Sequence, residues 1–338
     1  MPLPALPALP ATGSHHVLAL PEGAGPGVLE ILATSRFPRA AWDDVADGEP
    51  PALRLSRHSR VVGPYGVDRD ASLDLGLPAG VAYVVEAPAE RGPRPTPLGG
   101  DRLGLRRAFP DGLPVRDEER VVRWAIDVAR RLGGVLRVTQ RDGTPGALLT
   151  PDPAAAVDLT VWSDLWLDPD SALTVMQQAL PRAYLNLPTQ RWPGPPRGIG
   201  EKAVPGAEVL TVEQRASLHE AADEFDRAAM ADPAPMTGFG ALAELGLDGI
   251  IALEISGETD LPPVVAALPW AGQGAVAYRV RWEPDDLADA ESEHPSPAHR
   301  VARGRATPLV VALARAVHAA VGGEVTDAMD FVVDPADL

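Results

Sequence analysis

The chain has 338 residues, a formal net charge of −17 at pH 7 and no cysteine. This charge disfavours nucleic-acid binding and adhesion to an anionic membrane, because lysine and arginine side chains that neutralise phosphate supply most of that affinity. Without cysteine, disulfides, thiolate nucleophiles, cysteine zinc sites and iron–sulfur clusters are excluded.

The length suits two domains, since domains usually contain about 100–200 residues. Only one of the 30 basic residues, Lys202, is lysine, and the chain contains 37 prolines and 32 glycines. This composition is typical of GC-rich bacterial coding. Many arginines are therefore attributed to codon usage rather than to anion recognition, although a guanidinium group suits bidentate contacts with anions.

The first predicted element is a proline-rich tail, residues 1–14. Proline at positions 2, 4, 7 and 10 excludes a signal helix there, and we expect a disordered or polyproline-like segment. No run of about 18 apolar residues occurs, so no transmembrane span is expected. The predicted location is the cytoplasm.

Two similar stretches of sequence divide the rest of the chain. VAYVVEA at 81–87 resembles VAYRVRWE at 276–283, and each precedes a long loop, an amphipathic helix and a strand. The helices are predicted over 117–134 and 307–323, and both end at Gly-Gly, where glycine adopts the left-handed conformation at little cost. The strands after them are predicted at 135–140 and 324–333.

Each unit also contains a strand and a helix upstream of the repeated strand. These are predicted at 16–20 and 25–35 in the first unit, and at 249–256 and 260–271 in the second. The order β-α-β-loop-α-β resembles a split β-α-β, ferredoxin-like sandwich, with helices on one face of a mostly antiparallel sheet. The sequence thus predicts an α+β chain of two related units.

An inserted β-α element and a further helix are predicted between these units. Residues 156–167 are predicted as a strand, and Asp168 with Pro169 begins a helix over 168–180. The predicted division of the chain is a tail at 1–14, a first sandwich unit at 15–155, a connecting β-α element with a proline-rich linker at 156–210, and a second sandwich unit at 211–338.

The further helix is predicted over 211–230. A capping box formed by Thr211 and Gln214 marks its start. Its predicted buried stripe consists of Leu218, Ala222, Phe225 and Ala229.

The familiar signatures of catalysis and cofactor binding are missing from the sequence. It contains no Walker-type phosphate loop, G-x-S-x-G elbow, H-E-x-x-H, EF-hand loop or kinase set. GFGALA at 238–243 matches G-x-G-x-x-A but lacks a preceding strand, so it is interpreted as a glycine turn into a short helix. Lys202 is interpreted as a loop residue rather than a Schiff-base lysine.

An acidic loop at 284–300 contains two histidines. His294, His299, Glu291 and Glu293 are chemically suited to zinc or a similar ion. Two prolines interrupt the spacing, so a solvated loop is favoured and metal binding is left open. Of the other histidines, His15 and His16 adjoin the tail. His219 and His318 lie on predicted helices and are interpreted as structural, with His318 near a helix C-terminus.

Three acidic residues are candidates for acid–base chemistry. Asp43 and Asp44 follow Trp42, and Asp164 lies between Trp162 and Trp166. A carboxyl group beside indoles can have a raised pKa. The favoured alternative is that the tryptophans pack in a core or interface and Asp164 caps a turn.

The loop at 88–118 is rich in arginine and long for a compact domain. Its arginines suit an anionic partner, although a surface loop with codon-biased arginines is the favoured interpretation. They are Arg91, Arg94, Arg102, Arg106, Arg107 and Arg116.

The leading functional hypothesis is a non-enzymatic interaction or regulatory protein of the bacterial cytoplasm that binds a protein partner or forms a homodimer. The alternative is an enzyme or small-molecule binder with its site in the cleft between the two units. No catalytic, cofactor-binding or metal-binding residue is assigned, and no cofactor, nucleic acid or membrane is expected as a partner.

Overall fold

A computed structural model describes residues 3–7, 14–43, 49–96, 99–140, 142–186, 211–214, 216–218, 220–221, 224 and 237–338. Within these ranges the chain is an α+β protein with two antiparallel sheets of seven strands each. None of the helices described there is long and apolar enough to cross a membrane.

The first sheet and its helices form what we call the first unit. Its sheet order is β2-β3-β4-β5-β1-β6-β7. The strands are β1 (Ser14–Leu20), β2 (Ala41–Asp43), β3 (Ala52–Arg54), β4 (Arg60–Gly66), β5 (Val81–Ala87), β6 (Val135–Thr139) and β7 (Pro145–Leu149). The helices are α1 (Pro26–Thr34), α2 (Arg69–Leu75), α3 (Leu105–Ala108) and α4 (Arg116–Leu132).

The second sheet and its helices form the second unit. Its sheet order is β9-β10-β11-β12-β8-β13-β14. The strands are β8 (Leu159–Ser163), β9 (Tyr184–Asn186), β10 (Gly238–Glu244), β11 (Ile250–Glu258), β12 (Ala275–Glu283), β13 (Glu324–Asp327) and β14 (Val332–Val333). The helices are α5 (Pro169–Ala179), α6 (Pro263–Ala266), α7 (Leu287–Ala290) and α8 (Pro297–Val321).

Both sheets place their strands in the same order. In each, the strand that comes first in the chain lies between the fifth and the sixth, and the second strand lies at one edge. The repeated tyrosines occupy matching positions. Tyr83 pairs with Leu18 on β1, and Tyr278 pairs with Val161 on β8. Leu18 and Val161 each lie two residues before the end of their own strand. Each tyrosine hydroxyl lies 2.7–2.9 Å from a carbonyl oxygen in the connection after that strand.

Each sheet buries its two faces differently. In the first unit, Leu18 and Tyr83 face the core beneath α1 and α4. Their neighbours Val17 and Ala82 belong to a smaller cluster on the other face, because successive residues of a strand point to opposite faces. The second unit repeats this pattern, with Val161 and Tyr278 beneath α5 and α8.

The start of α5 and the C-terminal ends of α4 and α8 lie where the sequence predicts them. The Asp168 side chain accepts hydrogen bonds from the amides of Asp170 and Ser171, and Pro169 opens α5. Gly133 and Gly322 end α4 and α8 at φ values of 70° and 65°, in the left-handed region that favours glycine.

Several predicted elements are wrong in extent or type. The β-α element predicted between the units is not an insertion, because β8 lies inside the second sheet between β12 and β13. GFGALA forms strand β10 rather than a turn and a helix. The helix predicted over 260–271 is confined to α6, and the strand predicted over 324–333 is the β13–β14 hairpin.

Two terminal or connecting segments also differ from expectation. Ala5, in the predicted disordered tail, forms a β-bridge with Gly66. The predicted capping box of Thr211 and Gln214 is present. However, Leu218 of the predicted buried stripe is 56% exposed. The other three stripe residues lie outside the described residues.

We expect Gly323→Ala to destabilise the protein by more than about 2 kcal/mol. Gly323 has a φ of 88°, and an added Cβ would collide with the carbonyl oxygen of Trp162. The matched control is Gly304→Ala, because Gly304 lies on α8 with nothing within 4 Å of the added atom. Helix propensity predicts a gain of about 0.5–1 kcal/mol for this control. Urea unfolding of both variants and of wild type tests the close approach of Gly323 to Trp162. A Gly323→Ala variant as stable as wild type would contradict it.

Candidate functional site between the two units

The two units share a hydrophobic core at one place. The turn between β13 and β14 carries Met329 and Phe331, which are buried among the core residues of the first unit. The Arg36 Nε atom donates a hydrogen bond to the Met329 carbonyl at 3.0 Å and fixes the turn from outside. The contact fixes how the two units are placed relative to one another.

Ion pairs surround this shared core. The carboxylate of Asp127 on α4 lies 3.3 Å from Arg36 and 3.4 Å from Arg130. Arg131 pairs with Asp327 of the turn at 3.0 Å. Burial raises the pKa of Asp127 to about 6, despite the attraction of both arginines. Burial raises the pKa of Asp327 as well.

Beside this contact lies a cleft of about 110 Å³ with walls from both units. Helix α4 supplies the first wall, the chain between β7 and β8 the second, and the end of β12 with the start of α8 the third. Its large apolar side chains are Leu103, Ile126, Leu149, Val157 and Trp282. Its charged or titratable lining is Arg102, Arg130, Asp152, Asp158, Glu293, His299 and Arg303.

The carboxylates of the cleft are held by specific donors. Asp158 accepts a hydrogen bond from the Trp282 amide at 3.0 Å, and burial raises its pKa. Asp152 forms an ion pair with the buried Arg303. Burial opposes ionisation of Asp152, but the hydrogen bond from Arg303 leaves its pKa below the ordinary value.

His299 and Trp282 form the aromatic part of the wall. Their rings lie 5.1 Å apart at an angle of 53°. Burial lowers the pKa of His299 below 6.5, so the imidazole is neutral at pH 7. The Trp282 indole donates to the Asp248 carbonyl at 2.7 Å, which holds the ring in place.

A second titratable cluster lies inside the first unit and away from the cleft. The Nδ1 atom of His16 accepts a hydrogen bond from the Thr139 amide, so Nε2 carries the proton and faces Glu118 at 3.4 Å. Glu118 also pairs with Arg91. Burial lowers the pKa of His16. The cluster ties the loop at 88–118 to β1, β6 and α4.

Two loops that the sequence analysis treats separately meet at the cleft. Arg102 comes from the arginine-rich loop, and Glu293 and His299 come from the predicted acidic loop. Arg107 contacts Glu293 through two nitrogens. The Asp101 amide donates to the Glu291 carbonyl at 2.8 Å.

Two of the three predicted acid candidates, Asp43 and Asp164, do not line the cleft. Asp43 pairs with Arg54 at 3.4 Å, and Asp164 is exposed. The packing predicted for the tryptophans holds for Trp162, which is buried. Trp166 is partly exposed and packs edge-on against Phe239.

The predicted metal candidates are not assembled into a site. His299 lies on the first turn of α8, whereas His294 is exposed before it. The described ranges contain no group of three or more His, Asp or Glu residues placed to hold a metal ion. His318 contacts the Gly323 carbonyl at the end of α8. Asp44, Lys202 and His219 lie outside the described residues.

The sequence analysis misses most of the polar lining of the cleft. Arg303 is missed because α8 begins ten residues earlier than predicted, at Pro297. The signal for this start is Ser296 followed by Pro297, an N-cap residue and a proline at the first helical position. Arg130, Asp152 and Asp158 carry no local signal, because only the packing of the two units brings them together.

No protein-family model, curated protein or solved structure matches this chain. The geometry of the described residues therefore carries the functional conclusion.

We expect Asp127 to make stability depend on pH. Its pKa is raised from 3.8 to about 6, so between these values the folded state holds a proton that the unfolded state has released. Stability therefore falls as pH rises through this window, by at most about 3 kcal/mol from this group. Asp127→Asn removes that dependence.

The measurement is the unfolding free energy of both proteins in urea at pH 4 and pH 7. Other titrating groups cancel in the difference between the two proteins at each pH. The groups around this carboxylate are Arg130, Arg36, Asp327 and Arg123. Parallel pH profiles for wild type and variant would contradict the buried, ionisable state of Asp127.

Proposed function

We propose that the chain binds a small molecule in the cleft between its two units. The observation that carries this proposal is the wall itself, in which apolar side chains and convergent charged groups from both units enclose one space. Binding sites for small molecules usually combine a mostly apolar lining with a few placed polar groups. Ile126 and Trp282 supply the apolar surface, while Arg102, Asp158 and His299 supply the polar groups.

The size of the cleft limits the ligand. One water molecule needs about 10–15 Å³ of cavity volume, so the cleft of about 110 Å³ has room for about seven to eleven non-hydrogen atoms. A nucleotide or a peptide is too large for this space, whereas a small organic acid, amide or amine fits.

We propose that the two units are copies of one ferredoxin-like, split β-α-β module and that the second begins with β8. The shared strand order and the matching positions of Tyr83 and Tyr278 support this proposal. The cleft then lies at the contact of an intramolecular pseudo-dimer. The charged groups at this contact differ between the copies. When Gly133 and Gly322 are aligned, Asp127 and Arg130 on α4 correspond to Ala316 and Ala319 on α8.

Binding of a protein partner, or self-association into a homodimer, remains a second proposal. The observation that favours it is the exposed pair Leu165 and Trp166, which are 48% and 38% exposed. Large apolar side chains next to each other on a surface often mark contacts between proteins. A location in the bacterial cytoplasm also stays a prediction.

Sedimentation velocity tests self-association through this pair. We expect wild type to form a dimer at micromolar concentration and Leu165→Asp to be monomeric. The matched control is Leu247→Asp, because Leu247 is also exposed but lies on a different turn. A monomeric wild type, or a dimer that survives Leu165→Asp, would contradict self-association through this pair.

Two substitutions on α7 test the cleft proposal. Ala290 lines the cleft, whereas Ala288 on the same helix does not. We expect Ala290→Phe to fill the space and weaken the binding of small fragments by about tenfold or more, which corresponds to about 1.4 kcal/mol. Ala288→Phe is the matched control and should bind like wild type.

The measurement is ligand-observed NMR with neutral, acidic and basic fragments of up to about ten non-hydrogen atoms. The proposal fails if wild type binds none of the three classes. It also fails if the fragments that bind wild type bind Ala290→Phe equally well.

A further inference from the structure

We infer that the ligand of the cleft carries a carboxylate or phosphate group that pairs with Arg102. The inference rests on the proposed binding function and specifies the class of ligand. Its basis is the way in which the charges around the cleft are already paired within the chain.

Arg102 differs from the other arginines of its loop. Within the described residues, the other five each lie within 4.0 Å of a carboxylate oxygen, and Arg102 does not. The pairs are Arg91–Glu118, Arg94–Asp111, Arg106–Asp101, Arg107–Glu293 and Arg116–Glu90. Among the described residues, Arg102 is therefore the arginine of this loop that lacks a direct ion pair, although it attracts the charge of Asp158 from a longer distance.

The Arg102 guanidinium is nevertheless held in position. One of its terminal nitrogens donates a hydrogen bond to the Ala155 carbonyl, in the connection that forms one wall of the cleft. A guanidinium has five N–H groups in one plane, and two parallel N–H groups match a carboxylate or phosphate. Arg102 is exposed, and this hydrogen bond holds its planar donor group at the cleft.

Arg130 supplies a second and independent observation. This residue lines the cleft but is only 7% exposed. Its terminal nitrogen Nη1 contacts Asp127 and the Met329 sulfur, whereas its buried Nε has no hydrogen-bond partner among the described residues. A buried N–H without a partner is costly, and an acceptor oxygen of a ligand would satisfy it.

The start of α8 adds to the positive potential. His299 on its first turn and Pro295 just before it line the cleft. The N-terminal end of a helix carries a partial positive charge that favours anions. This effect comes from the N–H groups of the first turn of the helix, where His299 lies.

No carboxylate in the wall forms an ion pair with Arg102. Asp152 pairs with Arg303 and Glu293 with Arg107. Asp158 accepts from the Trp282 amide, and Arg102 attracts its charge without a direct contact. A cationic ligand would therefore compete with Arg303 and Arg107 for their carboxylates, whereas an oxyanion would give Arg102 a direct ion pair.

The test compares three probes of similar size by isothermal titration calorimetry: benzoate, phenyl phosphate and the neutral benzamide. We expect at least one of the two anions to bind wild type about tenfold or more tightly than benzamide. Arg102→Gln should remove this preference by weakening the binding of the anions more than the binding of benzamide. Arg94→Gln is the matched control, because Arg94 lies in the same loop and pairs with Asp111 away from the cleft.

The outcomes separate the two proposals. Preference for benzoate or for phenyl phosphate identifies the source of the oxyanion. Equal binding of benzamide and both anions, or an unchanged preference in Arg102→Gln, overturns the inference but leaves small-molecule binding intact. Failure of all three probes on wild type, together with an empty NMR fragment screen, removes the proposed function itself.

Discussion

The docking of the β13–β14 turn onto α4 determines the arrangement of the molecule. Met329 and Phe331 belong by chain order to the second sheet but are buried in the hydrophobic core of the first. Burying two large apolar side chains contributes several kcal/mol (about 1.5–3 each), and the surrounding arginine–aspartate pairs fix the orientation. Because this contact holds α4 against the second unit, it also determines the width of the cleft and the meeting of its walls.

Charge is distributed unevenly in this acidic chain. Most of the arginines near the cleft form pairs with carboxylates of the same chain, and several of these pairs are buried or half-buried. Buried pairs add little net stability when desolvation is counted, but removing one partner leaves an uncompensated charge. Such pairs favour one docked arrangement of the units over others. In the described part of the chain, the same arrangement leaves Arg102 without a carboxylate oxygen within 4.0 Å, which makes Arg102 the candidate contact for an anionic ligand.

The sequence predicts local features of the fold better than it predicts contacts. The paired tyrosine strands, the glycine helix ends and the Asp168 cap are visible in short stretches, because each depends on neighbouring residues. The place of β8 inside the second sheet is not visible, since strand pairing depends on distant partners. Three residues of the cleft are among the predicted candidates: Arg102, Glu293 and His299. The sequence assigns them to two unrelated loops. Arg130 and Asp158 become functional candidates only when the two units pack.

The shared core has a consequence for synthesis of the chain. Arg130 and Met329 are in contact although they lie 199 positions apart, and domains generally begin to fold as they leave the ribosome, N-terminal part first. The first unit therefore emerges with a hydrophobic gap that only residues made much later can fill. During that interval its apolar surface is open to chaperones and to other nascent chains. Completion of the first unit is thus a late event in biosynthesis, even though most of its own sequence is translated early.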